Sequence, residues 1–177
     1  MDPGRGTKDG PGPKDGPRTK AQGLSSSVNV AIALGSNVGD RGATLQSAIT
    51  RLQSILSGIR SSAFLDTPYV GDDVQPPVLN GAVTGVTALD AHALLERLLA
   101  IEQEFGRTRP YGGAPRTLDL DLILYGGMVI DEPGLIVPHP RFRERRFVLE
   151  PLAEIAPDWR DPVTGQTVLE LLEALSS

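Results

Sequence analysis

Apolar residues recur along the middle of the chain with the two periods that distinguish strands from helices. Short β-branched and apolar runs predict strands, whereas leucines spaced three and four residues apart predict amphipathic helices. Leu45, Ile49, Leu52 and Leu56 fall on one helical face, and we expect that helix to end before Gly58. The predicted elements are a strand over residues 28–34, a helix over 44–56, strands over 59–65 and 80–86, a helix from Asp90 as cap to residue 105 with Gly106 as its stop, and a strand inside 114–126.

This order of elements predicts the fold class. The succession βαββαβ is that of an α+β ferredoxin-like domain, in which two helices cover one face of an antiparallel sheet and leave the other face free for a ligand. The Pro-rich segment 67–79 between the middle strands is too long for a tight hairpin, so we expect it to be functional. Two C-terminal segments, 146–155 and 167–175, are predicted to be helical additions.

Composition divides the chain into two parts. Residues 1–27 consist largely of Gly, Pro, Lys, Asp and Ser, and they are predicted to be a disordered tail. Residues 28–177 have the length and apolar content of one folded domain. The chain has no cysteine and two histidines, which excludes disulfides and leaves too few ligands for a typical zinc site. We therefore expect a cytoplasmic protein.

The charge pattern limits the classes of partner. A formal net charge of −5 argues against nonspecific nucleic-acid binding, so the arginines that follow Gly106 indicate a local anion site. No apolar stretch approaches the roughly 18 to 20 residues that a membrane-spanning helix needs. The N-terminus also lacks the apolar core of a secretory signal. We expect neither a nucleic-acid partner nor membrane association.

Two carboxylates, Asp119 and Asp121, interrupt the apolar run APRTLDLDLILYG of residues 114–126. Alternate residues of a strand face the same side, so these side chains share a face with their Cα atoms roughly 6.5 to 7 Å apart, and the neighbouring leucines fill the other face. Paired carboxylates on one face indicate a bound cation, and such hard oxygen ligands suit Mg²⁺. Positive charge for a metal-bound polyphosphate would come from Arg107, Arg109 and Arg116.

Taken alone, an Asp-x-Asp pair on an edge strand is more often a solvated face or part of a salt bridge to a neighbouring arginine. A catalytic carboxylate pair of the glycosidase type is another alternative. Aromatic residues make up only 5% of the chain, however, and nothing else indicates a sugar cleft. The metal interpretation therefore depends on the motifs around the pair.

Three motifs occur in order along the chain: residues 31–37, AIALGSN; residues 114–126; and residues 137–140, VPHP, with Arg145, Arg146 and Phe147 after them. Together they resemble the 6-hydroxymethyl-7,8-dihydropterin pyrophosphokinase family of folate biosynthesis, over residues 28–175. The resemblance implies transfer of pyrophosphate from ATP to the hydroxymethyl group of a reduced pterin, which gives AMP and the pterin diphosphate. It implies ATP and the reduced pterin as small-molecule substrates, and we expect a monomer.

The resemblance also implies the roles of residues near the phosphates. Asp119 and Asp121 would hold two Mg²⁺ ions that bridge the phosphates and the attacking hydroxyl, with Asp121 a candidate to assist proton removal. Arg107 and Arg109 would close over the triphosphate as a lid, for which a solvated basic loop is the alternative. Residues implied to bind ATP are Glu102, Arg116, Leu122, His139 and Arg145. A structural role for the histidine and an exposed helix carboxylate for the glutamate remain open.

A pterin is a flat heteroaromatic, and its site needs aromatic stacking together with directional hydrogen-bonding groups. By resemblance, Phe147 stacks on the ring and Asn80 bonds to its edge, although ordinary core packing is the alternative for Phe147. The backbone around Thr67, Pro68 and Val70 would supply further hydrogen bonds.

Two departures from the family pattern keep other hypotheses open. Val78 stands where many members have a second stacking tyrosine, which predicts weaker pterin binding. The predicted lid has the small residues Gly112 and Gly113 where some members carry an arginine and a tryptophan. One alternative is therefore a catalytically weakened relative. The other is a ferredoxin-like module that binds a small molecule without catalysis, since fold alone does not imply an enzyme.

Overall fold

The computed structural model describes residues 26–106 and 117–176. Within these ranges the chain forms seven strands, four α-helices and one turn of 3-10 helix. The strands are β1 (Val28–Ser36), β2 (Ser57–Ser61), β3 (Leu65–Thr67), β4 (Val78–Thr87), β5 (Asp119–Tyr125), β6 (Ile130–Glu132) and β7 (Leu135–Val137). The helices are α1 (Arg41–Leu52), α2 (Ala91–Glu104), α3 (Arg146–Ile155) and α4 (Val168–Ala174), and the 3-10 turn is Phe142–Glu144.

Strands β1 to β5 form one antiparallel sheet with β1 between β4 and β5. On the outer side of β4, β2 pairs with its C-terminal half and β3 with its N-terminal end. The connectivity is the predicted βαββαβ order, with β2 and β3 together occupying one strand position, so the predicted ferredoxin-like fold class is confirmed. The register places Gly35 between Asn80 of β4 and Asp119 of β5.

Helices α1 and α2 cover one face of the sheet. The carboxylates of Asp40 and Asp90 accept hydrogen bonds from the backbone N–H groups of Ala43 (3.1 Å) and Ala93 (2.8 Å), which caps both helices and confirms the predicted cap at Asp90. Each leucine that these helices bury contributes about 2 kcal/mol to folding. This main core includes Leu34, Leu45, Ile49, Leu52, Leu94, Leu98, Leu118, Leu120 and Leu122.

In the described residues, α3 covers part of the opposite face of the sheet, and α4 packs against α3. Small residues on β1 and β4 allow α3 to pack closely against the sheet. Both predicted C-terminal helices are present, with bounds within one residue of those expected. The face predicted to be free for a ligand is therefore open only at one end, around Gly35, Asn80 and Asp119. The second core includes Ala31, Ala33, Ala82, Ile123, Phe142, Val148, Leu149 and Leu152.

The predicted end of the first helix was wrong. Helix α1 ends at Leu52, although the apolar spacing continues to Leu56. The N–H groups of Ile55 and Leu56 both donate to the carbonyl of Leu52 (3.0 and 2.9 Å), so the chain turns there while Leu56 still enters the core. Gly58 lies inside β2 at a φ of 58°, a conformation that favours glycine, and it does not end the helix.

The strand predicted over residues 59–65 is divided into β2 and β3. Between them, the hydroxyl of Ser62 accepts a hydrogen bond from the N–H of Ala82 (2.9 Å), and the N–H of Ala63 donates to the carboxylate of Glu154 on α3 (3.0 Å). These partners are distant in sequence, so local patterns do not reveal the break. Because β3 extends to Thr67, the loop before β4 comprises residues 68–77.

Strands β6 and β7 form a hairpin that the sequence did not predict. Gly134 lies in its turn at a φ of 80°, a conformation that favours glycine. The hairpin joins β5 to the segment that leads into α3.

The tail predicted over residues 1–27 lies outside the described residues, apart from Ser26 and Ser27. Across residues 26–106 and 117–176, no helix combines the length and the apolar composition that crossing a membrane requires.

Candidate functional site

A cleft of about 590 Å³ lies at the uncovered end of the sheet. Its walls are the end of β1, the loop 68–77, the start of β5 and the beginning of α3. The predicted pterin-binding and metal-binding residues thus meet in one cleft. The predicted site residues in its lining are Thr67, Pro68, Val70, Asn80, Asp119, Asp121, Arg145 and Phe147.

Asp119 and Asp121 line this cleft from β5. In the ladder with β1, Asp119 pairs with Gly35 and Asp121 with Ala33, so small residues lie beside both carboxylates. Both aspartates are half-buried. The two carboxylates share one strand face, as predicted, and the leucines that alternate with them belong to the main core on the other side: Leu118, Leu120 and Leu122.

The absence of a side chain at Gly35 keeps the cleft open between the carboxylates and Asn80. A Cβ atom at residue 35 would lie 3.5 Å from Cγ1 of Val78 and 3.8 Å from Oδ1 of Asn80. Any longer side chain would extend into the space that a ligand would occupy.

The pair of carboxylates fits a hard divalent cation. In the part of the chain that the structure describes, no cluster of three or more His, Cys, Asp or Glu side chains could complete a metal site. Mg²⁺ is commonly held by one or two carboxylates, with water and substrate phosphates as its remaining ligands. Asp119 and Asp121 therefore suit Mg²⁺ that arrives together with a phosphate compound.

Glu102 of α2 is only 1% exposed, so the alternative of an exposed helix carboxylate was wrong. Its Oε1 accepts a hydrogen bond from the backbone N–H of Leu120 at 2.7 Å. Leu120 lies between the two aspartates, and this bond therefore attaches α2 to the part of β5 that presents them. Glu102 is not part of the cleft lining.

Two arginines bring positive charge to the cleft. Arg141 and Arg145 both line it. The guanidinium carbon of Arg145 lies 5.6 Å from the ring centroid of Phe147, a distance at which a cation and an aromatic face attract. The arginines and the carboxylates of β5 thus line the same cleft, as a metal-bound polyphosphate would require.

His139 is half-buried and is not part of the cleft lining. Its backbone N–H donates to the carbonyl of Ile123 (3.0 Å), and its Nδ1 accepts from the backbone N–H of Arg141 (3.2 Å). Burial lowers the pKa of His139, the charges of Arg145 and Arg141 lower it further, and Asp119 opposes them. The lowered pKa favours the neutral imidazole, and a neutral ring that accepts at Nδ1 carries its proton on Nε2.

Asn80 is buried on β4, and its amide is held in one orientation. Its Nδ2 donates to Oγ1 of Thr67 (2.7 Å) and to the carbonyls of Val78 (3.2 Å) and Leu65 (3.3 Å). These bonds leave Oδ1, which lies toward Gly35, as the atom that can accept from a ligand.

Two aromatic side chains line the cleft, Phe147 and Tyr69. Phe147 also packs against the second core, so the alternative of core packing is confirmed, and stacking of its ring on a pterin stays a prediction. Tyr69 was not predicted, and its ring lies over Gly71, where a Cβ atom would come within 2.5 Å of it. The loop therefore needs glycine at residue 71 for the ring to take this position. Val78 lines the cleft as an aliphatic wall, as expected.

Sequence reasoning missed several polar residues of the lining. Arg141 belongs to the same proline-flanked segment as His139, which is a signal that could have identified it. Asn37 and Gln75 are joined by a hydrogen bond of 2.9 Å across 38 residues, and no local pattern predicts such a pair. The buried hydroxyl of Ser36 has no hydrogen-bond partner among the described residues.

Some predicted site residues lie elsewhere. Leu122 is buried in the main core and does not line the cleft. The described residues do not include the predicted lid residues Arg107 and Arg109, the two glycines Gly112 and Gly113, or Arg116. Their roles stay predictions.

Comparison with known sequences identifies related proteins. The sequence model of the family described as 7,8-dihydro-6-hydroxymethylpterin-pyrophosphokinase (HPPK) matches residues 31–157. A 2-amino-4-hydroxy-6-hydroxymethyldihydropteridine pyrophosphokinase of Synechocystis sp. is 46% identical over 145 residues, which cover 80% of this chain and 73% of that protein. The protein of the same name from Bacillus subtilis is 46% identical over 130 residues, 72% of this chain and 78% of that protein.

Comparison with solved structures identifies the same fold. Wild-type Plasmodium falciparum HPPK-DHPS with SDX-DHP matches with a TM-score of 0.68 at 13% identity. The match covers 84% of this chain and 44% of that longer chain. At this identity the likeness shows a shared fold.

Proposed function

Because the chain belongs to the 7,8-dihydro-6-hydroxymethylpterin-pyrophosphokinase family, we propose that the cleft at the open end of its sheet is the active site. The reaction is ATP-dependent transfer of pyrophosphate to hydroxymethyldihydropterin in folate synthesis. One observation carries the assignment of the site: a single cleft contains two carboxylates on one strand face, two arginines, a buried amide and aromatic side chains. The alternative of a ferredoxin-like module that binds a small molecule without catalysis is therefore rejected.

The charges of the cleft support an orientation for the two substrates. Asp119, Asp121, Arg141 and Arg145 line the same cleft, so the triphosphate of ATP would lie over β5 with its charges among these groups. The uncharged pterin would lie against Asn80, Tyr69 and the loop 68–77, which line the cleft as well. The hydroxymethyl group would then meet the β-phosphorus where the two substrates adjoin.

The chemistry needs alignment and charge neutralisation more than it needs a reactive side chain. The substrate hydroxyl attacks the β-phosphorus in line, AMP leaves, and no covalent bond to the enzyme forms. Two Mg²⁺ ions bound by Asp119 and Asp121 would neutralise the phosphates and lower the pKa of the attacking hydroxyl. Asp121 is the candidate to accept the proton, and Arg107 and Arg109 are proposed to close the site against water. Arg116 and His139 are proposed to support the ATP phosphates.

The pterin would be held by one fixed acceptor and by aromatic contact. Three donated hydrogen bonds orient the amide of Asn80, so its Oδ1 can accept from the amino edge of a pterin without reorganisation. Phe147 and Tyr69 supply aromatic surface, while Thr67, Pro68 and Val70 supply the adjoining loop. Tyr69 would in this way offset the missing aromatic ring at Val78.

Replacing Asn80 with alanine is expected to raise the KM for the pterin by about 10- to 100-fold, because the variant loses both the acceptor and the bonds that fix β3. The KM for ATP should change by less than about threefold, since the amide of Asn80 is proposed to contact the pterin and not the nucleotide. Steady-state AMP formation with each substrate varied in turn measures both constants.

Asn29→Ala is the matched control, because Asn29 is an exposed asparagine at the other end of the sheet. It should leave both constants unchanged. Equal increases in the two KM values for Asn80→Ala would contradict the proposed position of the pterin.

Measurement of AMP from Mg-ATP, with and without hydroxymethyldihydropterin, tests the proposed function. AMP that forms only with the pterin, in an amount equal to the pterin diphosphate, supports it. Nucleotide binding without AMP formation would instead support the catalytically weakened relative, and attention would move to Val78 and the lid.

We propose that the active form is a monomer, because the cleft is built from elements of one chain. Sedimentation at catalytic concentrations should give the mass of a single chain, and a stable dimer that loses activity on dilution would contradict this. We also propose a cytoplasmic location, which fits the absence of cysteine. Fractionation of the source cells with antibody detection tests it.

A further inference from the structure

Arg41, the first residue of α1, joins the two ends of the loop 68–77. Its Nη1 and Nη2 donate to Oδ1 and Oδ2 of Asp66 at 2.9 Å each, a bidentate pair. The same Nη1 also donates to the backbone carbonyl of Pro77 at 3.0 Å. Asp66 lies in β3, just before the loop, and Pro77 is the last residue of the loop. One guanidinium therefore connects β3 to the C-terminal end of the loop.

This contact lies behind the cleft. Thr67 bonds to Asn80 on the cleft side of the sheet, and neighbouring side chains of a strand alternate, so Asp66 faces the side that α1 covers. Neither Arg41 nor Asp66 belongs to the cleft lining. Arg41 thus has no contact with the space that the substrates would occupy, and any effect on catalysis must pass through the loop.

Apolar burial contributes little to the conformation of the loop. Val70 is 75% exposed and Val74 is fully exposed, so the loop buries little apolar surface of its own. Strand β3, which leads into it, contains only three residues at the edge of the sheet. A second side-chain hydrogen bond reaches the loop from the same part of the chain: Asn37, four residues before Arg41, donates from its Nδ2 to Oε1 of Gln75 (2.9 Å). Residues 37–41 thus hold the loop at two points.

We propose that Arg41 is a positioning residue for the pterin site, which holds the loop 68–77 in its binding conformation by linking Asp66 to Pro77. This inference rests on the proposed function, since it requires that the loop forms the pterin wall. A loop that is ordered before binding costs less conformational entropy when the ligand arrives, so the contact strengthens pterin binding without touching the pterin. The contact should not affect ATP binding, because ATP is proposed to lie over β5.

Arg41→Gln is expected to raise the KM for the pterin by about tenfold, with kcat and the KM for ATP within about twofold of the wild type. An exposed ion pair adds little to global stability, so the midpoint of thermal unfolding should change little. A raised pterin KM with an unchanged unfolding midpoint distinguishes a positioning residue from one with a general structural role. Calorimetric titration of the pterin, in the presence of a non-hydrolysable ATP analogue, should show the same loss of affinity.

Arg41→Lys provides a second variant that keeps the charge but loses the bidentate fork, and its pterin KM should lie between those of the wild type and Arg41→Gln. Asp66→Asn should raise the pterin KM in the same way. Combining it with Arg41→Gln should add nothing further, because both changes break one contact.

Arg51→Gln is the matched control. Arg51 lies in the last turn of the same helix and forms an exposed ion pair with Glu104 (3.1 Å), far from the loop along α1. Its removal should leave every kinetic constant unchanged.

Three outcomes would overturn the inference: an unchanged pterin KM in Arg41→Gln and Arg41→Lys, equal increases in the two KM values, or an additive double variant. Failure of the proposed function would look different, because the wild-type chain would then form no AMP in response to the pterin.

Discussion

Replacing Asp119 or Asp121 with asparagine is expected to lower kcat for AMP formation by about 10³-fold. Asparagine keeps the size of the side chain and removes the negative charge that a hard divalent cation requires. Both aspartates lie on one face of β5 beside Gly35 and Ala33, so the adjacent strand β1 offers no carboxylate that could replace either of them. Initial rates at saturating ATP and pterin, over a series of Mg²⁺ concentrations, measure the effect.

The matched control for this prediction is Asp131→Asn, at an exposed position on β6. It should leave kcat and the Mg²⁺ dependence unchanged. The midpoints of thermal unfolding of Asp119→Asn and Asp121→Asn should stay close to that of the wild type, because both side chains face the cleft. Near-normal kcat in either variant would show that the carboxylate concerned does not hold the catalytic metal.

The sequence predicted the part of the site whose geometry is local. In β5, alternation alone places Asp119 and Asp121 on one face and Leu118 and Leu120 on the other, because a strand has a fixed period of two. In the same way, apolar residues spaced three and four positions apart located the buried faces of α1 and α2, and the residue type located the cap at Asp90. The order of these elements then predicts the antiparallel sheet of a ferredoxin-like fold, which the structure confirms.

The residues that local patterns did not reveal are joined by long-range contacts. The strand predicted over 59–65 is broken because Ala63 bonds to Glu154, which lies 91 residues away. The bond between Asn37 and Gln75, and that between Arg41 and Asp66, likewise depend on how the sheet brings two turns together. Glu102 was predicted to be near the site, but only the packing of α2 against β5 shows that it binds the backbone of Leu120.

Arg143 lies between His139 and Arg145 in the chain, but it does not line the cleft. Its Nε and Nη2 donate to the carboxylate of Asp161 at 2.5 and 2.8 Å. Asp161 is completely buried, and it also accepts hydrogen bonds from Thr164 Oγ1 (2.7 Å) and the N–H of Val163 (3.0 Å). The ion pair fastens the segment before α3, which carries the cleft arginines, to the turn before α4.

Asp161→Asn is therefore expected to lower the free energy of unfolding by about 3 kcal/mol, because it leaves a partly buried guanidinium without its counter-ion. Asp158→Asn, an exposed change nearby in the chain, should cost less than about 0.5 kcal/mol. Urea unfolding at pH 7, followed by circular dichroism, compares the variants with the wild type.

The stability of the wild type should also depend on pH through this residue. Burial acts to raise the pKa of Asp161, but the hydrogen bonds from Arg143, Thr164 and Val163 outweigh it and lower the pKa from 3.8 to about 2. A carboxyl whose folded-state pKa lies below its unfolded-state pKa stabilises the fold above both values and loses that contribution as the pH falls through them. The advantage of the wild type over Asp161→Asn should thus shrink by about 2 kcal/mol between about pH 5 and pH 2. A difference that stays constant across this range would show that the buried carboxylate is not the source of the stability.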